Sequence, residues 1–157
     1  MELVHFVKTA DITDKIEALF HAEKKKLTTL FSDVEIEHVG GTSVPGSISK
    51  GDLDINIRVE PARFEAVKEL LQTPYEVNQP DNWSATFASF KDDPRNLGIQ
   101  LTVIGSHEDF FVLQRNYLRN HPEKVLELNA LKEQFEGKSM DEYRKKKQEF
   151  FESIDLS

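Results

Sequence analysis

The sequence predicts a single α+β domain in which a small mixed β-sheet is followed by a helical C-terminal segment. Strand-like alternation of apolar and polar residues clusters before residue 105, and helical periodicity dominates after it. The length of 157 residues also suits one domain. We therefore expect a sheet core with helices over residues 1–105 and a helical segment over residues 106–157.

Strands and helices alternate through the first two thirds of the chain. Short stretches predict strands at "LVHFV", "VEIEHV", "DLDINIRV" and "YEVN", and residues 83–104 predict a hairpin that turns at "KDDPRN". An apolar stripe predicts a helix over residues 13–31. Pro61 occupies a first-turn position and opens a second helix. Its apolar residues are expected to face inward: Phe64, Val67, Leu70 and Leu71.

Three helices are expected after residue 105. Ser106 is a candidate N-cap for the first helix, and Pro122 opens the second, which ends at Gly137. Ser139 and Glu142 have the spacing of a capping box and predict the start of the third helix. The apolar stripes of these helices would pack the segment on the sheet.

Composition narrows the classes of function. Acids outnumber bases by 28 to 20, and the resulting formal net charge of −8 argues against binding of long nucleic acid. The absence of cysteine excludes disulfides and thiolate metal sites. No apolar run approaches the ~20 residues of a membrane span, and the N-terminus lacks a signal-peptide pattern. We therefore expect a cytoplasmic protein without membrane contact, of unassigned oligomeric state.

The stretch "HVGGTSVPGSISKGDLDINI" joins a flexible loop to two acids. Gly40 and Gly41 let backbone N–H groups approach a ligand closely, and Thr42 and Ser43 add hydroxyl donors. Such a loop suits a phosphate, and more so if a helical turn starts after Ser43. The alternative is a Gly-Gly turn that joins two ordinary strands.

Two acids follow this loop on one face of a predicted strand. Asp52 and Asp54 share that face with Arg58, because side chains alternate along a strand. Mg²⁺ is commonly held by one or two carboxylates together with substrate phosphates. The loop and the acids thus predict a site for Mg²⁺ and a nucleotide or other phosphorylated small molecule. Lys50 and Arg58 could reach a phosphate. The alternatives are a solvated strand face, a solvated lysine and a structural Asp–Arg pair.

These residues resemble the signature of a known superfamily. An apolar residue, two glycines, ten residues and then "DLDI" resemble the nucleotidyltransferase superfamily of the DNA polymerase β type. With "LTVIGSHEDFFVLQRNYLRNHPE" and "ALKEQF…EYRKKKQEFFESI", the chain is identified as a member of the GrpB family, a branch of that superfamily. The resemblance spans residues 38 to about 154. It implies a five-stranded mixed sheet with flanking helices and names no substrate.

The resemblance also implies roles for individual residues. By position, Gly40 and Gly41 match the superfamily's glycine pair, although many members have Ser where this chain has Gly41. Asp52 and Asp54 match its metal-binding acids. A third carboxylate is usual on a later strand, and the residue at that place in "LGIQLTVI" is Gln100.

Two functions follow from the resemblance. The first is Mg²⁺-dependent transfer of a nucleotidyl group from an NTP to a small acceptor. The second is a nucleotide- or phosphate-binding module without turnover. Gln100 favours the second, because an amide cannot accept a proton as a carboxylate can.

Overall fold

The computed structural model describes residues 1–156. The α-helices are α1 (Thr13–Leu30), α2 (Phe64–Leu71), α3 (Phe111–Asn120), α4 (Pro122–Gln134) and α5 (Met140–Glu152). The strands are β1 (Val7–Lys8), β2 (Glu35–Val39), β3 (Ile48–Ser49), β4 (Leu53–Val59), β5 (Glu76–Val77), β6 (Phe87–Asp92) and β7 (Leu97–Val103). Within residues 1–156, no helix has both the length and the apolar character needed to cross a bilayer.

The larger sheet has five strands in the order β2-β4-β7-β6-β5. Its central strands β4 and β7 run parallel, whereas the other neighbouring pairs are antiparallel. β1 and β3 form a separate two-stranded antiparallel sheet. The predicted fold class, a mixed sheet followed by a helical segment, is therefore confirmed.

The two faces of the larger sheet have different roles. One face forms the main core, in which the apolar residues of β4 and β7 pack against α1 and α2. Because side chains alternate, the opposite face of these strands presents polar residues: Asp54, Asn56, Gln100 and Thr102. A second apolar cluster joins α3 and α4 to the loop after β2. The C-terminal helices thus come to lie over the polar face of the sheet.

The structure corrects three local predictions. The first hairpin strand begins at Phe87 rather than at residue 83. Helix α3 begins at Phe111, and its N-terminus has no side-chain cap. Ser106 instead lies in a turn, in which the Asp109 N–H donates to the Ser106 carbonyl and the Asp109 side chain accepts a hydrogen bond from the Gly105 N–H. Leu70 is 57% exposed rather than inward-facing. An eight-residue helix buries only one face, which its other apolar residues occupy.

Candidate functional site

A cavity of about 250 Å³ lies between the polar face of the sheet and the C-terminal helices. We call it the sheet–helix cavity. Its polar part contains Gly40, Gly41, Lys50, Asp52, Asp54, Gln100, Lys132 and Lys147. Its apolar part contains Val44, Phe111, Leu118, Val125, Leu128 and Phe151. The two aspartates therefore face a cavity and not the apolar core.

The same acids also border an open polar groove of about 790 Å³. Lys50 and Gln100 line both spaces, and the far side of the groove carries polar residues such as Asn78 and Asn96. The aspartates thus lie where an enclosed, partly apolar space meets an open polar one. Two ligands could reach them from different directions.

Two glycines leave the space that the Asp54 carboxylate occupies. A Cβ at Gly40 would collide with Asp54 Oδ2, and Gly40 has a φ of +77°, a conformation that favours glycine. On the neighbouring strand, a Cβ at Gly98 would lie 3.0 Å from Asp54 Oδ1. The carboxylate therefore occupies a cradle that side chains at either glycine would fill.

The hydroxyl groups of the glycine loop have partners within the protein. The Thr42 hydroxyl donates to the Asp52 carbonyl at 2.9 Å, and the Ser43 hydroxyl donates to the Gly40 carbonyl at 2.5 Å. Both side chains are buried. These bonds fix the loop against β4. A Cβ at Gly41 would lie 3.0 Å from the Ser49 Cβ, which explains why glycine fits better than serine there.

The surroundings of Asp54 shift the pKa of its carboxyl group. Burial raises the pKa of its carboxyl group to about 6, and the nearby Asp52 charge adds to the shift. Lys147, Lys50 and a hydrogen bond from Gln100 act in the opposite direction and lower this pKa. Asp52 itself has a cation close by, since Lys50 Nζ lies 3.5 Å from its Oδ2. At neutral pH Asp54 is therefore mostly ionised, although its surroundings disfavour the charge.

Gln100 lies beside the acids. Strand β7 pairs in parallel with β4 and places Gln100 opposite Asn56. Gln100 Oε1 is buried, and it has no hydrogen-bond partner among residues 1–156. The Gln100 side chain donates a hydrogen bond to Asp54, so its amide nitrogen, and not this oxygen, faces the acids. The two carboxylates are the hard oxygen donors that Mg²⁺ prefers, so Asp52 and Asp54 fit this ion. Within residues 1–156, no cluster of three or more acidic or histidine side chains lies close enough together to hold a metal ion.

Two lysines in the cavity were missed by the sequence analysis. Lys132 on α4 is only 3% exposed, and its Nζ donates to the Ile48 carbonyl at 2.6 Å. Burial lowers the pKa of Lys132 to about 7, and the Lys147 and Lys50 charges lower it further. Burial also lowers the pKa of Lys147 on α5, while the charge of Asp54 opposes that shift.

The sequence did contain a signal for these two lysines. Lys132 follows Leu128 by four residues, and Lys147 follows Tyr143 by four, so each lies on the inward stripe of its helix. The run of four basic residues "RKKK" at positions 144–147 predicts a solvated helix face. That prediction is wrong for Lys147, which lines the cavity.

Comparisons with known proteins place the chain in a family. The family model described as "GrpB protein" matches residues 7–156. The chain belongs to the GrpB family. A UPF0157 protein of Vibrio cholerae is 32% identical over 153 residues, which cover 96% of this chain and 81% of that protein. A crystal structure of the conserved protein GrpB from Enterococcus faecalis has a TM-score of 0.72 at 22% identity. That match covers 88% of this chain and 91% of the other, and it supports the fold alone.

Within this GrpB fold, Arg58 is the one predicted ligand-binding cation that does not line the cavity. Its Nε and Nη2 donate to Asp109 at 2.8 and 2.7 Å, and its Nη1 donates to Glu35. The structural ion pair named as its alternative role is therefore present, with Asp109 in place of Asp54. Arg115 on α3 does line the cavity and donates to Glu37 at 2.7 Å.

Proposed function

We propose that this GrpB protein binds a nucleoside triphosphate with Mg²⁺ in the sheet–helix cavity and transfers its nucleotidyl group to a small acceptor. The observation that carries the proposal is that the Asp54 carboxylate, packed between Gly40 and Gly98, lines the cavity together with Asp52. Its raised pKa shows that the fold holds this charge at a net electrostatic disadvantage. Groups held in this way are characteristic of functional sites.

The roles of the residues follow from their positions. Asp52 and Asp54 would hold Mg²⁺, which would neutralise phosphate charge, and Gln100 would orient Asp54 through its hydrogen bond. Gly40 and Gly41 leave room for phosphates at the loop. Lys50 borders both the cavity and the groove, so its charge can balance the charge on either side of the acids. Nucleotidyl transfer depends largely on such positioning and electrostatic stabilisation.

The two spaces beside the acids suit two substrates. The apolar part of the sheet–helix cavity would pack against the base or sugar of the nucleotide. The polar groove would admit a small hydrophilic acceptor to the other side of Asp52 and Asp54. This arrangement supports transfer more than simple hydrolysis, because it provides a second binding space.

A second function, nucleotide binding without turnover, is favoured by Gln100. An amide cannot remove the proton from an attacking hydroxyl. In that case the cavity would bind the nucleotide, and no residue on β7 would activate the acceptor.

Calorimetric titration of the four common NTPs, with Mg²⁺ and with EDTA, tests the proposal. We expect Mg²⁺-dependent binding of at least one NTP to the wild type and its loss in Asp54→Asn. Asp81→Asn is the control, because Asp81 is exposed and remote from the cavity lining. Release of pyrophosphate with an acceptor panel then separates transfer from binding alone. Absence of Mg²⁺-dependent binding for every NTP would contradict both functions.

A further inference from the structure

Lys132 is a buried cation without an acidic partner. Among residues 1–156, no carboxylate lies within ion-pair distance of its Nζ, which bonds only to the Ile48 carbonyl. A buried ammonium group is unfavourable unless it is paired or hydrogen-bonded, and one carbonyl satisfies one of its three donors. Two N–H donors of Lys132 are thus open to a ligand in the cavity.

Lys147 and Lys50 converge on the same space. All three lysines line a small recess of about 30 Å³ together with Gly41, Asp52 and Asp54. The charges of Lys147 and Lys50 lower the pKa of Lys132, and the charge of Lys50 lowers the pKa of Lys147. The three positive charges therefore repel one another. Helices α4 and α5 thus bring two cations to a loop that already carries a third.

The local charge differs in sign from that of the whole protein. Three lysines face two aspartates here, whereas the chain as a whole has a formal net charge of −8. Among residues 1–156, Lys132 is the one of the three without a carboxylate partner, since Lys50 Nζ lies 3.5 Å from Asp52 Oδ2 and the charge of Asp54 favours the charged form of Lys147. The low-dielectric walls of a cavity strengthen the attraction between such positive charge and a bound anion.

Gly41 keeps the amine of Lys132 accessible from the loop. A Cβ at this position would lie 3.5 Å from Lys132 Nζ and 3.0 Å from the Ser49 Cβ. A side chain at residue 41 would therefore stand between the loop and the amine. The loop backbone and the ammonium group can approach the same oxygen atoms.

We propose that Lys132 and Lys147, together with the backbone at Gly41, form a subsite that binds a polyphosphate group directly, without a metal ion. For the ligand that carries this group, the inference rests on the proposed function. For the anion subsite itself it rests on the buried Lys132 and on Lys147, which lines the same cavity. A purely structural role, in which Lys132 anchors α4 to β3 through Ile48, is the alternative.

The test is calorimetric titration of inorganic tripolyphosphate in EDTA. We expect the wild type to bind, and Lys132→Met and Lys147→Met each to weaken binding by about tenfold or more, as for loss of a charge-assisted hydrogen bond. Lys146→Met is the matched control, because Lys146 lies on α5, is exposed and pairs with Glu149. It should bind within about twofold of the wild type, the range expected of a distant solvent-screened charge.

Three further arms make the outcome specific. Sulfate at equal ionic strength should bind more weakly than tripolyphosphate, since it carries less charge and fewer oxygen atoms to share among the lysines. ATP in EDTA should compete with tripolyphosphate, which would show that an organic nucleotide uses the same subsite as the inorganic anion. If Lys132→Met fails to fold, Lys147→Met supplies the same readout from another helix.

The subsite and the proposed function fail in different ways. Absence of tripolyphosphate binding in EDTA, or an equal loss in Lys146→Met, would overturn the subsite whatever the Mg²⁺–nucleotide result. Tripolyphosphate binding that depends on Lys132, without Mg²⁺-dependent binding of any NTP, would uphold the subsite and overturn the proposed function. Binding that is unchanged in Lys132→Met and Lys147→Met would assign both lysines a structural role only.

Discussion

Two groups of buried charges in this protein have opposite electrostatic character. Beneath the sheet, Glu23 is 3% exposed and accepts hydrogen bonds from Tyr75 at 2.6 Å and from Arg95. Burial alone would raise the pKa of Glu23, but these two bonds bring it below its ordinary value. In the sheet–helix cavity, burial raises the pKa of Asp54 and lowers that of Lys132.

The difference indicates two kinds of role for a buried charge. The hydrogen bonds around Glu23 stabilise its ionised form, as expected of a group whose role is to hold elements together. Asp54 and Lys132 are disfavoured in their charged forms, which is the pattern expected of groups that interact with a ligand. We infer that the charges of Asp54 and Lys132 are only partly compensated within the protein, whereas the charge of Glu23 is compensated without a ligand.

The largest expected effect is the loss of Glu23. Glu23→Ala should lower the free energy of unfolding by ~2–4 kcal/mol, because it removes the acceptor of the Tyr75 hydroxyl and one of the two carboxylate partners of Arg95. Urea denaturation measures this loss, and Glu17→Ala on the exposed face of α1 is the control. A loss no larger than that of the control would contradict this interpretation, since the hydrogen bonds of Glu23 would then contribute nothing to stability.

A smaller loss is expected at the second compensated cluster. Asp109→Asn should cost about 1–2 kcal/mol, because the Asp109 side chain is 4% exposed and binds the Arg58 guanidinium. Arg58 lowers the pKa of Asp109, so this stabilisation is present above the unfolded pKa and is lost as the pH falls through the lower folded value. The difference between wild type and variant, measured by urea denaturation, should therefore shrink below about pH 4. A pH-independent difference would contradict the ion-pair explanation.

Lys132→Met should change the free energy of unfolding in the opposite direction. Removing an uncompensated buried ammonium should leave the free energy of unfolding unchanged or raise it by about 1 kcal/mol at pH 7. In the wild type, the unfolded chain binds more protons at Lys132 between pH 7 and pH 10, because the folded pKa is about 7. The contribution of Lys132 to stability should therefore rise with pH over this range.

Stability curves of wild type, Lys132→Met and Lys146→Met at several pH values check this sign. The difference between Lys132→Met and wild type should narrow as the pH rises, while Lys146→Met should follow the wild type. A marked loss of stability in Lys132→Met at pH 7 would show that its bond to the Ile48 carbonyl outweighs the unfavourable charge.

The smallest effect on stability is expected at Gln100. Gln100→Glu places a third carboxylate beside Asp54, so it should slightly lower the ligand-free unfolding temperature through repulsion. Mg²⁺ should then raise that temperature more than in the wild type, since three hard oxygen ligands bind it better. Gln72→Glu on the exposed surface is the control. An identical response to Mg²⁺ in all three proteins would remove Gln100 from the metal site.

Local patterns made much of the fold predictable. Alternation placed Asp54 and Gln100 on polar strand faces, and the spacing of Ser139 and Glu142 correctly predicted the start of α5. In the structure the Ser139 hydroxyl oxygen accepts a hydrogen bond from the Glu142 N–H at 3.3 Å. Such features depend on neighbours a few residues apart, which a single sequence displays.

Long-range contacts decided what was not predictable. The bond between Arg58 and Asp109 joins residues 51 positions apart, so local sequence patterns do not reveal it. The cradle around Asp54 needs Gly98, which only strand pairing brings near. Lys132 was missed because charged helix residues are usually solvated, although its inward spacing was visible.

Thermal unfolding of wild type and Asp54→Asn, each with and without Mg²⁺ and the four common NTPs, tests the central claim most directly. We predict that the variant unfolds at an equal or higher temperature without ligand, because the environment disfavours the Asp54 charge. We also predict that Mg²⁺ with an NTP raises the unfolding temperature of the wild type and not of the variant. The account would be contradicted by a ligand-free variant that unfolds several degrees lower, or by equal responses of both proteins to every NTP.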